Sequence, residues 1–161
     1  MKSMTLLKKF LGDMSVLNKE DQRKLIDLQG GKSPVTEKKF KEGERIETHH
    51  RERKRDGGGD EIENLMVVRK VEHFFLHFCE SKNMALPKSE RVAELNIVFW
   101  RWRELNSKEK DEFKELVRRK IGTKIGEVFD TWERETNKRK KKQYKIWILK
   151  TLGVRERDPK C

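Results

Sequence analysis

Between residues 64 and 133, apolar residues recur every third or fourth position, which is the spacing of one face of an α-helix. Three such runs follow one another, and the segment "NMALPKSE", with its Pro87, separates the first run from the second. The runs contain, in order, Val67, Val71, Phe74, Phe75 and Phe78; Val92, Leu95, Val98, Phe99 and Trp102; and Phe113, Leu116, Val117, Ile121, Ile125, Val128, Phe129 and Trp132. No segment alternates with the period of two that is typical of a strand, so the pattern predicts an all-α fold. Gly122 and Gly126 weaken the third run and predict a bend near residue 122.

The segments on either side of these runs differ in composition. Residues 1–29 predict a short helical segment with Asn18 as its N-cap, which either docks on the rest of the chain or frays. Residues 30–63 are rich in glycine and charge and poor in apolar residues, which predicts a flexible charged linker. Residues 64–134 form the predicted helical domain, and residues 135–161 a basic amphipathic tail.

The stretch "FWRWRELNSKEKDEF" predicts a tight corner between two helices. Asn106 follows the second apolar run and Glu109 stands three residues later, which is an asparagine form of the capping box. We therefore expect Trp102 and Phe113, on either side of the corner, to pack together. We assign to the hydrophobic core Phe74, Phe78, Trp102, Phe113 and Val117.

Charge points to the class of partner. The 161 residues carry a formal net charge of +12, and residues 134–161 alone hold 11 lysines and arginines against 3 acids. Such a balance favours a polyanion, either a nucleic acid or an acidic membrane surface. The cluster "RERKR" at residues 51–55 is typical of nuclear import signals and of phosphate contacts, and equally of a solvated linker.

The expected location is a reducing intracellular compartment, and specifically the nucleus. The two cysteines, Cys79 and Cys161, make no recognisable disulfide framework. The N-terminal apolar run is short and broken by lysines, and no stretch approaches the roughly 20 apolar residues of a membrane span, so no signal peptide or membrane insertion is expected.

The corner resembles the HMG box (high-mobility-group box). That family often has a tryptophan, an apolar residue, a capping residue, Glu-Lys and an aromatic residue at the spacings shown here by Trp102, Leu105, Asn106, Glu109, Lys110 and Phe113. Phe74 and Phe75 are similar to the aromatic pair of the first box helix. The resemblance implies an L-shaped domain of three helices that widens and bends the minor groove of DNA.

The resemblance also implies which residues contact DNA. Phe75 would be the apolar wedge inserted between base pairs, and Arg91 stands where some boxes carry a second wedge and would contact phosphate. The basic segment that follows the box would brace the bent DNA through Lys138, Arg139, Lys140, Lys141 and Lys142. We also place Arg69 and Lys70 in the expected nucleic-acid-binding set.

The sequence offers no catalytic or metal-binding set. It contains no glycine-rich phosphate loop, no nucleophile with a placed histidine and no carboxylate pair in apolar surroundings, so we expect neither an enzyme nor a cofactor. His73 and His77 share a helix face near Cys79, but no second ligand pair matches them, and we expect no metal site.

The sequence therefore predicts a non-catalytic nucleic-acid-binding protein, with duplex DNA as the partner and chromatin or transcription regulation as the setting. Two alternatives stay open. Glu72 and Glu80, on the helix that would face DNA, favour a divergent box that binds RNA or a protein partner. The segment "KKKQYKIWILKTLG" favours an adaptor whose basic helix binds calmodulin or an anionic membrane.

Overall fold

The structure is a computed structural model, which describes residues 17–83, 85–121 and 125–151. The described chain is mostly helical, with one small two-stranded antiparallel sheet. Its elements are α1 (Lys19–Leu28), β1 (Ile46–His50), β2 (Leu65–Arg69), α2 (Lys70–Lys82), α3 (Lys88–Arg101), α4 (Ser107–Ile121), α5 (Ile125–Arg134) and α6 (Lys138–Thr151), with single 3-10 turns at Lys54–Asp56, Ile62–Asn64 and Trp102–Glu104. The predicted, mostly helical character is confirmed, and the small sheet is an element that the spacing pattern did not predict.

The chain divides into two compact units, with the boundary between His73 and Phe74, inside α2. The change in composition along the sequence predicted a boundary between residues 63 and 64 instead. The difference arises because β2, which the apolar spacing assigned to the first helix of the domain, belongs to the first unit.

The sheet corrects the prediction of a linker over residues 30–63. β1 pairs antiparallel with β2, with Ile46 opposite Arg69 and His50 opposite Leu65. Every residue of β2 is buried, so this strand has a continuous apolar run and lacks the alternation that reveals a half-exposed strand. β1 has alternating partly and fully buried positions, but its sequence "IETHH" is mostly polar and therefore shows no alternation of apolar and polar residues.

In the first unit, α1 packs on the sheet. Leu25 of α1 is buried with Leu65 and Val67 of β2, and Leu17, Ile26, Phe40 and Ile46 cover this cluster. The amide of Asn18 caps the helix by accepting from the Asp21 N–H at 2.8 Å, as predicted. The Gln29 side chain then pairs with the β2 backbone, because it accepts from the Val67 N–H at 2.7 Å and donates to the Val67 carbonyl at 3.0 Å. Helix α1 thus docks on the sheet, while residues 1–16 of the predicted N-terminal segment lie outside the described residues.

A buried carboxylate marks the junction between β2 and α2. Glu72 is fully buried and accepts hydrogen bonds from the Ser33 and Thr36 hydroxyls at 2.7 and 2.6 Å and from the Arg69 N–H at 2.8 Å. The last bond satisfies one of the backbone donors left over at the start of a helix. Glu72 therefore links the loop of residues 33–36 to the first turn of α2 through hydrogen bonds. This structural role could not be inferred from its charge alone.

The second unit has an aromatic core at the corner between α3 and α4. The Trp102 and Phe113 rings pack edge to face with centroids 5.3 Å apart, and Phe129 of α5 lies 5.0 Å from Trp102. Asn106 and Glu109 form the reciprocal capping box, at 2.9 and 3.0 Å. The predicted corner is thereby confirmed.

The remaining core residues assigned from the sequence, Phe74, Phe78 and Val117, are also buried. Helices α4 and α5 are joined by ion pairs as well as by rings, with Lys110 on Glu133 at 2.8 Å and Lys114 on Asp130 at 2.5 Å. α4 ends at Ile121 and α5 begins at Ile125, while the predicted bend at residue 122 lies outside the described residues.

Candidate nucleic-acid interface

Helix α6, the basic amphipathic segment of the sequence, is held against the aromatic core of the second unit along one side. Ile148 is fully buried, the Lys141 Nζ lies 4.7 Å from the centre of the Trp132 ring, and the Lys145 Nζ lies 5.9 Å from that of Phe99. Burial lowers the pKa of the Lys145 ammonium. The contacts combine apolar burial with cation–π attraction and fix which side of α6 faces solvent.

The other side of α6 carries exposed cations. They are Lys138, Arg139, Lys140, Lys142 and Lys150. Within the part of the chain that the structure describes, none of these side chains pairs with a carboxylate. We call these five residues the basic face of α6.

Most of the basic face lies at the unfavourable end of the helix. The backbone amides of Arg139 and Lys140 donate to the Asn137 side chain at 3.0 and 3.2 Å, which caps the helix, but α6 contains no acidic residue. The N-terminal end of a helix carries a partial positive charge that favours anions and disfavours cations. The four cations at positions 138, 139, 140 and 142 therefore repel both each other and the helix dipole, and a bound polyanion would relieve both repulsions.

Four residues of the expected binding set do not lie on an exposed surface: Phe75 and Arg91, assigned from the resemblance, and Arg69 and Lys70. Phe75 is only 5% exposed, so its ring is in the core and is not a surface wedge. Arg91 is buried and its Nε donates to the Ser81 carbonyl at 3.0 Å, which removes it from a phosphate-binding surface. Arg69 is buried beside Glu72, with Nε and Oε1 3.2 Å apart, and Lys70 is half-buried. These assignments are corrected because apolar spacing shows that a helix has a buried face without showing how far that face extends.

Of the five residues expected to brace DNA, four are exposed on α6 and Lys141 is half-buried against Trp132. Lys150 and Trp147, which were not in the expected binding set, also lie on the exposed part of α6. The signal was present in the sequence, since stepping 100° per residue from the buried Ile148 puts both on other sides of the helix.

Three of the histidines each contact a different carboxylate. His77 contacts Glu94 at 2.6 Å, His50 contacts Asp60 at 2.8 Å and His73 contacts Glu47. Within the described residues, no group of three histidine, cysteine or acidic side chains is placed to hold a metal ion. Cys79 has a pKa raised to about 11 by burial, which keeps its thiol protonated at neutral pH.

None of the helices in the described ranges has the length and apolar character needed to span a membrane. Comparison of the chain with models of protein families, with curated proteins and with solved structures found no match.

Proposed function

We propose that this is a non-catalytic nucleic-acid-binding protein of the nucleus that contacts phosphates through the basic face of α6. One observation carries the proposal: cations without acidic partners among the described residues cluster at the start of a helix whose opposite side is fixed to a folded core. Fixing the helix positions the charges before binding, so a smaller conformational entropy cost is incurred when a phosphate chain arrives.

The finer part of the proposal is an HMG-box-like domain over residues 64–134 that binds duplex DNA in the minor groove and bends it. The corner built by Trp102, Asn106, Glu109 and Phe113 supports it, since these residues carry the resemblance and adopt the expected contacts. The burial of Phe75 gives no support to wedge insertion at that position. Energy transfer between dyes on the two ends of a short duplex tests bending, and an unchanged transfer efficiency at saturating protein rejects it.

The adaptor alternative receives less support from the contacts of α6. Binding to calmodulin or insertion into a membrane surface uses the apolar side of a basic helix. In this chain Ile148 on that side is fully buried, and Lys141 and Lys145 pack on the Trp132 and Phe99 rings. Such partners would first have to detach α6 from the core, whereas a polyanion binds the side that is already exposed.

The proposal is tested by the salt dependence of binding of the full chain to a labelled DNA duplex. Neutralising Arg139, Lys140 and Lys142 to glutamine should lower the slope of log K against log salt by about 0.9 for each phosphate that is no longer neutralised, or about 2.7 for three. Lys141 is left intact because it packs on Trp132.

The matched control changes the same net charge elsewhere. Lys38, Lys39 and Lys41 are exposed in the first unit, and their replacement by glutamine should leave the slope nearly unchanged. An equal decrease of the slope in both triple variants would show that only overall charge matters. A wild-type chain that binds neither DNA nor RNA in a salt-dependent manner would reject the proposed function altogether.

A further inference from the structure

Trp147 is an exposed aromatic residue in the middle of the basic helix. It keeps 48% of its surface exposed, although α6 offers a buried side where Ile148 is fully enclosed. A tryptophan left this exposed forgoes the favourable burial of a large apolar surface, so its position invites a functional explanation.

The exposed neighbours of Trp147 on the helix surface are polar and basic, and Tyr144, three residues before it, is half-buried. Lys140 precedes it by two helical turns and Lys150 follows it by three residues, with Gln143 between. At 100° per residue these side chains lie within about 60° of Trp147 around the helix axis, and at 1.5 Å per residue the two lysines lie about 10 Å before it and about 4.5 Å beyond it. The indole is therefore flanked along one side of α6 by two exposed cations.

We propose that the basic face of α6 binds single-stranded nucleic acid, with Trp147 stacking on an unpaired base and Lys140 and Lys150 contacting the phosphates on either side. This inference rests on the phosphate contacts of the proposed function and names the substrate class for α6 alone, apart from the duplex binding proposed for residues 64–134. Surfaces that bind single strands combine a basic track with exposed aromatic rings, because the backbone and the base faces are both accessible only in a single strand. In a duplex the base faces are covered by their neighbours, and α6 offers only its cations.

Charge complementarity argues for this occupant over an apolar one. The exposed ring stands among cations, and a lipid surface or protein groove would need a wider apolar side. Among the described residues of α6, the fully buried Ile148 faces the core. A nucleic acid uses the ring and the cations together, since its bases stack on the indole while its phosphates neutralise the lysines.

The test measures binding of the full chain to a fifteen-nucleotide oligo-dT and to a duplex of equal length at one salt concentration. Trp147→Ala should weaken binding to the single strand about five- to 150-fold, the range for removal of one aromatic ring that stacks on a base, and should leave duplex binding within about twofold. Trp147→Phe should restore most of the affinity, because phenylalanine also stacks on a base. Trp147→Leu, which keeps an apolar side chain without an aromatic face, should behave like the alanine variant.

Trp100 provides the matched control. It is 52% exposed but lies on α3, away from the basic run in sequence, and Trp100→Ala should leave both affinities unchanged. The inference is overturned if Trp147→Ala binds the single strand as tightly as wild type, if Trp147→Leu retains full affinity, or if Trp100→Ala shows the larger decrease in affinity. If Trp147→Ala keeps the wild-type affinity for both forms and binding still depends on salt, the stacking is rejected while the proposed function stands. Binding to vesicles containing anionic lipid is measured in parallel, and a decrease in Trp147→Ala that is confined to the vesicles would assign Trp147 to a membrane surface instead.

Discussion

Replacing Trp102 by alanine should remove a large part of the stability of the second unit. Its indole is fully buried, lies 5.0 Å from the Phe129 ring and 5.3 Å from the Phe113 ring, and donates to a Glu133 carboxylate oxygen at 3.0 Å. The residue thus connects the end of α3 to α4 and α5. Removing it opens a cavity where three elements meet.

The magnitude follows from the buried surface. A tryptophan side chain buries about 150–250 Å², which at about 25 cal/mol per Å² corresponds to about 4–6 kcal/mol. Alanine retains a small part of that burial, and truncations of large aromatic residues in cores cost about 3–5 kcal/mol. Domains are stable by only about 5–15 kcal/mol, so Trp102→Ala should place the second unit close to unfolding at room temperature. In this variant Glu133 retains its ion pair with Lys110, whose Nζ lies 2.8 Å from the carboxylate, so the loss of the indole hydrogen bond does not leave the carboxylate unpaired.

Urea unfolding followed by tryptophan fluorescence is the appropriate assay. All four tryptophans, Trp100, Trp102, Trp132 and Trp147, lie after residue 73, so their emission reports on the second unit alone. If the free energy of unfolding falls by about 2 kcal/mol per molar urea, a destabilisation of about 4 kcal/mol lowers the midpoint of unfolding by about 2 M urea.

Two variants separate packing from other effects. Trp102→Phe keeps an aromatic ring and should cost less than the alanine change, while Trp100→Ala removes an exposed indole and should change stability by less than about 0.5 kcal/mol. A midpoint that Trp102→Ala leaves unchanged, or that Trp100→Ala lowers as much, would refute the aromatic corner.

Two further predictions concern the second unit. Asn106→Ala should destabilise it by about 0.5–2 kcal/mol through removal of the cap on the Glu109 N–H, whereas Asn106→Ser should cost less in the same urea assay; equal costs would argue against capping. In a Cys161→Ser background, iodoacetamide should modify Cys79 about a hundredfold more slowly in the folded chain at pH 8 than in urea, because burial raises the pKa of the thiol from 9.0 to about 11. Since the unfolded thiol loses its proton first, the free energy of unfolding contributed by Cys79 should fall between about pH 9 and 11, and equal alkylation rates would contradict the raised pKa.

The parts of the fold that sequence predicted depend on residues close together along the chain. The capping box joins Asn106 to Glu109, three residues away, and helix periodicity brings Trp102 and Phe113 to opposite sides of that cap. Local chemistry of this kind is nearly the same in an isolated segment and in the fold. It can therefore be inferred directly from one sequence.

The missed sheet depends on contacts between distant residues. Val67 and Val71 are four apart and match a helix face, yet Val67 lies in β2 and Val71 in α2. The chain changes from strand to helix at Arg69 and Lys70, where Glu72 accepts from the Arg69 N–H and from hydroxyls near residue 33. Tertiary contacts of this kind override local spacing preferences, and they cannot be inferred from the spacing of apolar residues.

The location of the candidate site on α6 could be predicted from the sequence. Most of the residues assigned to it outside α6 could not. A run of basic residues is visible in the sequence itself, so the cations from Lys138 to Lys142 were assigned without structural information. Phe75 and Arg91 were assigned from the resemblance, and both are buried because neighbouring elements cover the helix sides on which they lie. Arg91 shows the difficulty well, since its Nε reaches a backbone carbonyl at Ser81, on a different helix.

Net charge alone would not have located the interface. Many cations of the chain are compensated locally, as in the pairs Arg53–Asp56, Lys114–Asp130 and Arg118–Glu115, and such pairs contribute little to an external field. In α6 the absence of acids, the position at the positive end of a helix and the attachment of the opposite side to the core act together. The proposed attraction for a polyanion would thus come from a few residues whose mutual repulsion the fold does not relieve. Neutralising those residues should weaken binding far more than the same charge change in the first unit.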